Sequence, residues 1–356
     1  MTPKTIEEEL ALIVEERKRK EPYYRAKARI RIQSYEKDFD HVHNLDKGDW
    51  IICTTAGILG GVLDVLFVGI PHPSSQGVKG GFIDGKVREL FDKHYPESKM
   101  QILASRKECK TPYDAQDNRH TEKYVDGLSS YYHRLVSLGH DPFLGFFVGV
   151  YDILKGRMTT ISKTGDCTSQ KMPIYAERMA KQILEAIQKE WLHLKSDVNT
   201  SMGLPVPLMS LFNLLQFGHI GEEGLTVAEI VQGMYYQGYD FQHFCAMSIP
   251  EMFVEITVRA AWWIKMKREG HSLLKTMPII SSRNRTPKLD TMLCVAHACF
   301  CSINAGKVGL TKNPCAINYS EWMRFSQLVI KEVSWQLINK STERQLYVTR
   351  RILEKT

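Results

Sequence analysis

The sequence predicts an all-α fold, a multi-helix globular bundle, and three observations carry that prediction. Apolar residues recur at helical spacing over most of the chain. Capping patterns open several of these stretches: Asp141-Pro142, Thr226-Val-Ala-Glu229 and Ser248-Ile-Pro-Glu251. Almost nothing reads as a strand run bounded by hairpin turns. The composition agrees, since 43% hydrophobic and 24% charged residues over 356 positions belong to a globular chain with ample core.

Taken in order, residues 5–20 form an amphipathic helix whose apolar stripe is Leu10, Ile13 and Val14, with acids early and bases late to suit the helix dipole. Pro22 is expected to interrupt it. Arg25, Lys27, Arg29 and Arg31 then alternate with small or apolar residues, and periodicity leaves their state open. Residues 49–69 form an apolar helix with Gly57 and Gly61 at G-x-x-x-G spacing. The apolar run 51–70 is about long enough to cross a bilayer. Asp64 inside that run opposes insertion, so a buried core helix is the preferred reading and a membrane-associated or re-entrant helix pair the other. Residues 71–85 are a glycine-rich loop without the residue order of a phosphate loop. A short helix at 86–94 and a polar, exposed connector at 107–121 follow.

The rest of the chain is expected to be organised around residues 131–155. Gly139 suits a left-handed helix end and Asp141-Pro142 a new helix start, so His133 and His140 flank a sharp corner. Gly145 and Gly149 then form a second glycine groove, expected to cross the groove of Gly57 and Gly61 at close range. Residues 155–171 read as a polar hinge and 173–195 as one long amphipathic helix. The capping boxes open helices at 226–237 and 248–263, with 239–247 a separate helix between them. Asp290 caps 291–303, and helices at 319–337 and 344–354 complete the chain. The boundaries drawn are a basic amphipathic segment at 1–48, a helical core domain at 49–338 and a charged helix at 339–356.

Charge is local. Residues 17–31 carry +7 and residues 265–288 carry +6 of an overall +7, leaving the remainder at −6. The basic surfaces are Arg25, Lys27, Arg29 and Arg31, then Lys265, Lys267 and Arg268, suited to anionic lipid or nucleic acid. No nucleic-acid motif is present, so that partner ranks last. No cleavable signal is expected, because the first twenty residues lack an apolar core. Eight scattered cysteines make no C-x-x-C pair and read as free thiols.

Polar side chains inside apolar runs are the candidates for chemistry. The cluster is Asp64, His133, Arg134, His140, Asp141, His243 and His297. The metal set within it is His133, His140 and Asp64, whose imidazole nitrogens and carboxylate oxygens suit a divalent zinc, iron or manganese ion. Arg134 would steady a phosphate. The order His, His-Asp, later Asp resembles that of the HD phosphohydrolases, but Pro142 follows Asp141, which already has a capping role. A pairing of Cys294 or Cys299 with His297 is weaker, since apolar surroundings raise a thiol pKa.

The segments HRLVSLGHDPFLGFFVG (133–149), GYDFQHFCAMSIPEM (238–252), MLCVAHACFCSINAG (292–306) and DVLFVG (64–69) resemble those of a set of uncharacterised, largely helical bacterial proteins. The resemblance covers most of 49–335 and implies a bacterial origin and one shared site, without an activity. Enzymatic activity is left open. The first expectation is a helical protein acting by assembly, as a homo-oligomer or with another protein, or by association with an anionic membrane surface. The alternative is a metal-dependent hydrolase of a phosphoester or ester. The expected location is cytoplasmic, peripheral to the inner membrane.

Overall fold

A computed structural model describes residues 6–74, 77–200, 203–221, 223–270 and 287–354. The middle of the second basic segment, 271–286, lies outside the described residues. Among those described, the fold is helical with two small hairpins. In order come α1 (Ile6–His43), α2 (Lys47–Leu63) with a π turn (Asp64–Val68), β1 (His72–Ser74), β2 (Gly77–Lys79), α3 (Phe82–His94) and α4 (Glu97–Ser105). Next are α5 (His133–Val136), α6 (Val148–Lys155), β3 (Arg157–Ile161), β4 (Cys167–Lys171) and α7 (Ile183–Asp197). The remainder is α8 (Val227–Tyr236), α9 (Phe241–Arg268), α10 (Pro287–Thr311), α11 (Tyr319–Ser334) and α12 (Lys340–Leu353).

The chain groups into two compact units that are not consecutive in sequence: Met1–Gly57, Glu255–Ala298 and Arg324–Thr356 form one, Ile58–Val254 and Cys299–Met323 the other. The first is held by ionic centres. Asp49, 1% exposed, accepts from Lys265 at 2.7 Å and from Lys288 at 2.9 Å. Glu255 accepts from Arg259 at 2.5 Å and from Arg324, with His297 at 3.5 Å. Burial alone would raise the Glu255 carboxyl, but His297, Arg324 and Arg259 outweigh it and hold it at about 2.

The second unit packs two main apolar clusters. One joins Tyr113, Val136, Val150, Ile153, Met158, Met172 and Ala186; the other joins Val68, Leu135, Met209, Met234, Tyr235, Tyr239 and Met247. Between helices, Gly60 faces Val254 and Phe300, and Gly61 faces Ile303, where an added Cβ would come within 2.4 Å and 2.8 Å. These glycines therefore seat α9 and α10, and the expected crossing with the groove of Gly145 and Gly149 is not made. Asp64 is fully buried and closed on all sides: Lys307 Nζ at 3.0 Å, Asn304 at 3.0 Å and Asn318 at 2.9 Å.

Several local expectations are corrected. Helix α1 runs through Pro22, with Glu16–Lys20 and Glu21–Arg25 ion pairs one turn apart on either side of the lost donor. Helix α9 runs through Pro250, because Ser248 Oγ donates back to the Phe244 carbonyl and meets Ser320 instead of capping. The polar stretch 155–171 is the β3–β4 hairpin. Its hydroxyls pair across the strands, Thr160 with Thr168 and Thr159 with Ser169, and Asp152 accepts from the Thr159 N–H and hydroxyl. The helix expected over 173–195 is broken: a 3₁₀ turn (Pro173–Arg178) precedes α7, and the Ala180 N–H leaves helical bonding for the Ile153 carbonyl. Gly139 does not take a left-handed conformation. The connector 107–121 is not an exposed loop, since Cys109, Thr111, Tyr113 and Ala115 are buried.

Two outcomes follow from these ionic centres. Asp64→Ala leaves the Lys307 ammonium buried without its carboxylate and lowers stability by about 3–5 kcal/mol in denaturant melts. The depressed Glu255 carboxyl contributes stability that is fully present above pH 4.5 and is lost as pH falls toward 2. Glu255→Gln therefore loses on the order of 2–3 kcal/mol at neutral pH. Its stability curve converges on that of the parent in acid.

Candidate metal centre

Three separated segments bring five ionisable side chains to one place. Asp114 comes from the stretch after the turn Lys107–Cys109, His133 opens α5, His140 ends the turn Leu138–His140, and His193 and Asp197 lie on α7. Spacing of four residues puts His193 and Asp197 on the same helical face, one turn apart. The inward nitrogens and oxygens lie close: His193 Nε2 to Asp197 Oδ2 is 3.5 Å, His140 Nε2 to the same oxygen 3.7 Å, His140 Nε2 to Asp114 Oδ1 3.8 Å, and His133 Nε2 to that oxygen 3.9 Å. They form two triads that share His140: Asp114, His133 and His140, and His140, His193 and Asp197. Ligands about 2.1 Å from a tetrahedral ion lie about 3.4 Å apart, close to these separations.

The outer contacts aim the rings. His193 Nδ1 is 2.9 Å from the Cys109 carbonyl, and His133 Nδ1 is 3.1 Å from the Ser130 carbonyl. A carbonyl only accepts, so each Nδ1 carries the proton and each Nε2 presents a lone pair inward, the arrangement typical of metal-binding histidines. Arg134 donates to Asp197 Oδ1 at 3.0 Å and to the Thr200 carbonyl at 2.7 Å, which fixes the other carboxylate oxygen toward the rings. That oxygen, both nitrogens of His140 and His193 Nε2 are buried without a hydrogen-bond partner. Each such group costs about 1–3 kcal/mol if nothing binds it.

Electrostatics keep the set ready to bind a cation. Burial would raise the Asp114 carboxyl, yet His140, His193 and His133 hold it well below the ordinary range. Burial would likewise raise Asp197, and Arg134, His193 and His140 bring it down. Burial, with His140 and Arg134 nearby, lowers His133 to about 4, and burial lowers His193 too. The carboxylates are thus ionised and these two imidazoles neutral near pH 7, the forms that bind metal.

Packing around the centre is tight. Gly139 lies against Tyr113, where a Cβ would come within 2.5 Å of the ring. The Tyr113 hydroxyl donates to buried Glu190, and Gly145 and Gly149 leave the room that the Glu190 carboxyl occupies. Burial first, then Asp152 and Asp197, raise the Glu190 carboxyl well above its usual value. The Tyr113 ring meets His140 and His193 edge-on, with centroids at 5.2 and 5.3 Å. A cleft of about 300 Å³ reaches the centre, lined by Asp114, His193 and Asp197 together with Gln101, Lys110 and Gln116.

Of the residues chosen from sequence, His133 and His140 belong to this centre and Arg134 lies beside it. Arg134 is engaged by Asp197 and Thr200, so it positions a carboxylate. Asp141 is adjacent but caps, accepting from the Phe143 and Leu144 N–H groups at 2.9 Å. Asp64 is not part of the set, its oxygens being taken by Lys307, Asn304 and Asn318. His243 belongs to another buried network, with Asp84 at 2.8 Å and with Arg88 holding both Asp84 and Asp240. His297 faces Glu255 in the other unit. Burial raises the thiol of Cys294 to about 11 and raises Cys299 too.

Sequence reasoning missed Asp114, His193 and Asp197. The His-x-x-x-Asp spacing on an amphipathic helix is a usable signal for the last two; Asp114 offers none. Comparison with protein-family models, with curated proteins and with solved structures finds no match to this chain.

Gly139→Ala forces the methyl into the Tyr113 ring. It lowers stability by about 1–3 kcal/mol, read as a shift in the denaturation midpoint.

Proposed function

We propose that this chain is a divalent-metal-dependent hydrolase, with Asp114, His133, His140, His193 and Asp197 as its metal-binding set and a phosphoester or other ester as its substrate. The observation that carries this reading is the convergence of ligand atoms from three chain segments, with both His140 nitrogens, His193 Nε2 and Asp197 Oδ2 buried and unpartnered. A bound cation would supply a polarised water with a lowered pKa, the nucleophile that such hydrolysis needs. Mixed imidazole and carboxylate ligation suits zinc, iron or manganese.

The chain's own groups divide the remaining tasks. Arg134 and Thr200 hold Asp197 in register. The Cys109 and Ser130 carbonyls hold His193 and His133 with their lone pairs inward. Lys110, half-buried on the cleft wall, offers a cation to an anionic substrate beside the metal-binding set. Gln101, Ser105, Gln116 and Ser196 make that wall polar, which favours a small hydrophilic substrate.

Elemental analysis of protein purified with zinc, manganese or iron present gives about one or two ions per chain by this reading. His140→Ala and His193→Ala lose them, while His219→Ala, at an exposed loop position, keeps them. Added metal raises the melting temperature, since a ligand at a hundred times its Kd stabilises by about 2.7 kcal/mol. Hydrolysis of bis(p-nitrophenyl) phosphate is abolished by chelation and restored by the ion. A parent protein that takes up no stoichiometric metal and shows no thermal shift with any of the three ions removes the proposal.

A further inference from the structure

The most apolar part of the chain is also among its least covered. Between Glu9 and Val68 lies an 18-residue stretch of mean hydropathy 2.1, of which only 39% is buried. Helix α2 and its π turn leave one face open: Ile51, Thr55, Ile58, Leu59, Val62, Val65, Leu66 and Phe67 are exposed. A charge-free helical face of that extent is about 24 Å long. The one acid of the stretch, Asp64, points the other way and is ion-paired with Lys307. The expectation of a buried core helix thus holds for one face only, and the cost of carrying Asp64 into lipid falls away because it faces protein.

Helix α9 has the same character. Ile249, Met252, Phe253, Ile256, Ala260 and Ile264 are exposed, and it abuts α2 where Gly60 meets Val254. Its charged residues along this length are engaged: Glu251 by Ser320, and Glu255 and Arg259 by each other. The face ends at exposed Lys267 and Arg268. Trp50, half exposed, stands at the start of the α2 face, directly after basic α1, where Lys27, Arg29 and Arg31 are exposed.

We infer that α2 and α9 are seated in the hydrocarbon of an anionic lipid bilayer, with Trp50 and the basic residues at its headgroups. Protein interfaces surround an apolar centre with polar groups. These two faces instead carry apolar side chains along their length, with Thr55 the one polar residue among those named, and place an aromatic residue and cations at their ends, the pattern of a membrane interface. A second copy of the chain or another protein is the competing occupant.

The test uses the full chain and vesicles of phosphatidylcholine with phosphatidylglycerol. The parent floats with the vesicles and resists extraction by high salt and by alkaline carbonate. Dibrominated lipid quenches its tryptophan fluorescence, and Trp50→Phe removes part of that quenching. Ile58→Glu combined with Val62→Glu lowers the bound fraction about tenfold or more. Leu346→Glu, at an exposed site on α12, leaves it unchanged. The inference is overturned if the parent stays in the aqueous fraction, if salt alone strips it, or if brominated lipid does not quench Trp50. It is also overturned if the glutamate pair splits a soluble oligomer without changing flotation. Quenching is read on the parent, so a misfolded variant does not decide the result.

Discussion

The carboxyl of Glu190, seated in the space that Gly145 and Gly149 leave open, is the contact on which the candidate centre depends. It sets the approach of α7 to α6, and through the Tyr113 hydroxyl it ties α7 to the segment that carries Asp114. Tyr113 in turn lies over Gly139, one residue before His140. One close fit therefore registers all three segments that bear ligand atoms. A side chain at either groove glycine would meet a Glu190 oxygen at 2.5 Å and push His193 and Asp197 away from His140. Burial favours the neutral form of Glu190, so it seats a helix without placing a further negative charge beside Asp197.

Buried ionisable groups are numerous, and the contrast among them identifies the centre. Asp64 with Lys307, Asp84 with His243 and Arg88, Asp240 with Arg88, and Asp49 with two lysines are all closed by opposite charge or hydrogen bonds. Such networks hold a fold together and leave nothing for a ligand to satisfy. Around His140 the pattern is reversed. Charge-bearing acids are present, the neighbouring imidazoles are oriented, and the inward lone pairs have no donor. A cation would satisfy the buried lone pairs that folding alone leaves without a partner.

Glycine and histidine each carry more than one role here, and only geometry separates them. Gly60 and Gly61 admit neighbouring helices, Gly145 and Gly149 admit a carboxyl, and Gly139 admits an aromatic ring. His243 and His297 lie beside acids in ionic networks, while His133 and His193 each join His140 and an acid in one of two adjoining triads. In each case residue type and apolar context are similar; the partner across the chain differs.

Helical class, the free cysteines, the Thr226–Glu229 capping box and the capping role of Asp141 were legible in the sequence. They rest on local periodicity and on hydrogen bonds between residues a few positions apart, which neighbours along the chain determine. The continuity of α1 through Pro22 and of α9 through Pro250, and the break before α7, were not legible, because distant contacts or ion pairs override the local signal there. Nor was the β3–β4 hairpin, whose polar strands are supported by each other and by Asp152. Only tertiary structure exchanged Asp64 for Asp114, His193 and Asp197. Asp64 and the converging set are alike in being acids or histidines in largely buried surroundings. Which of them meet depends on helix packing over separations of tens of residues, and no local pattern encodes that.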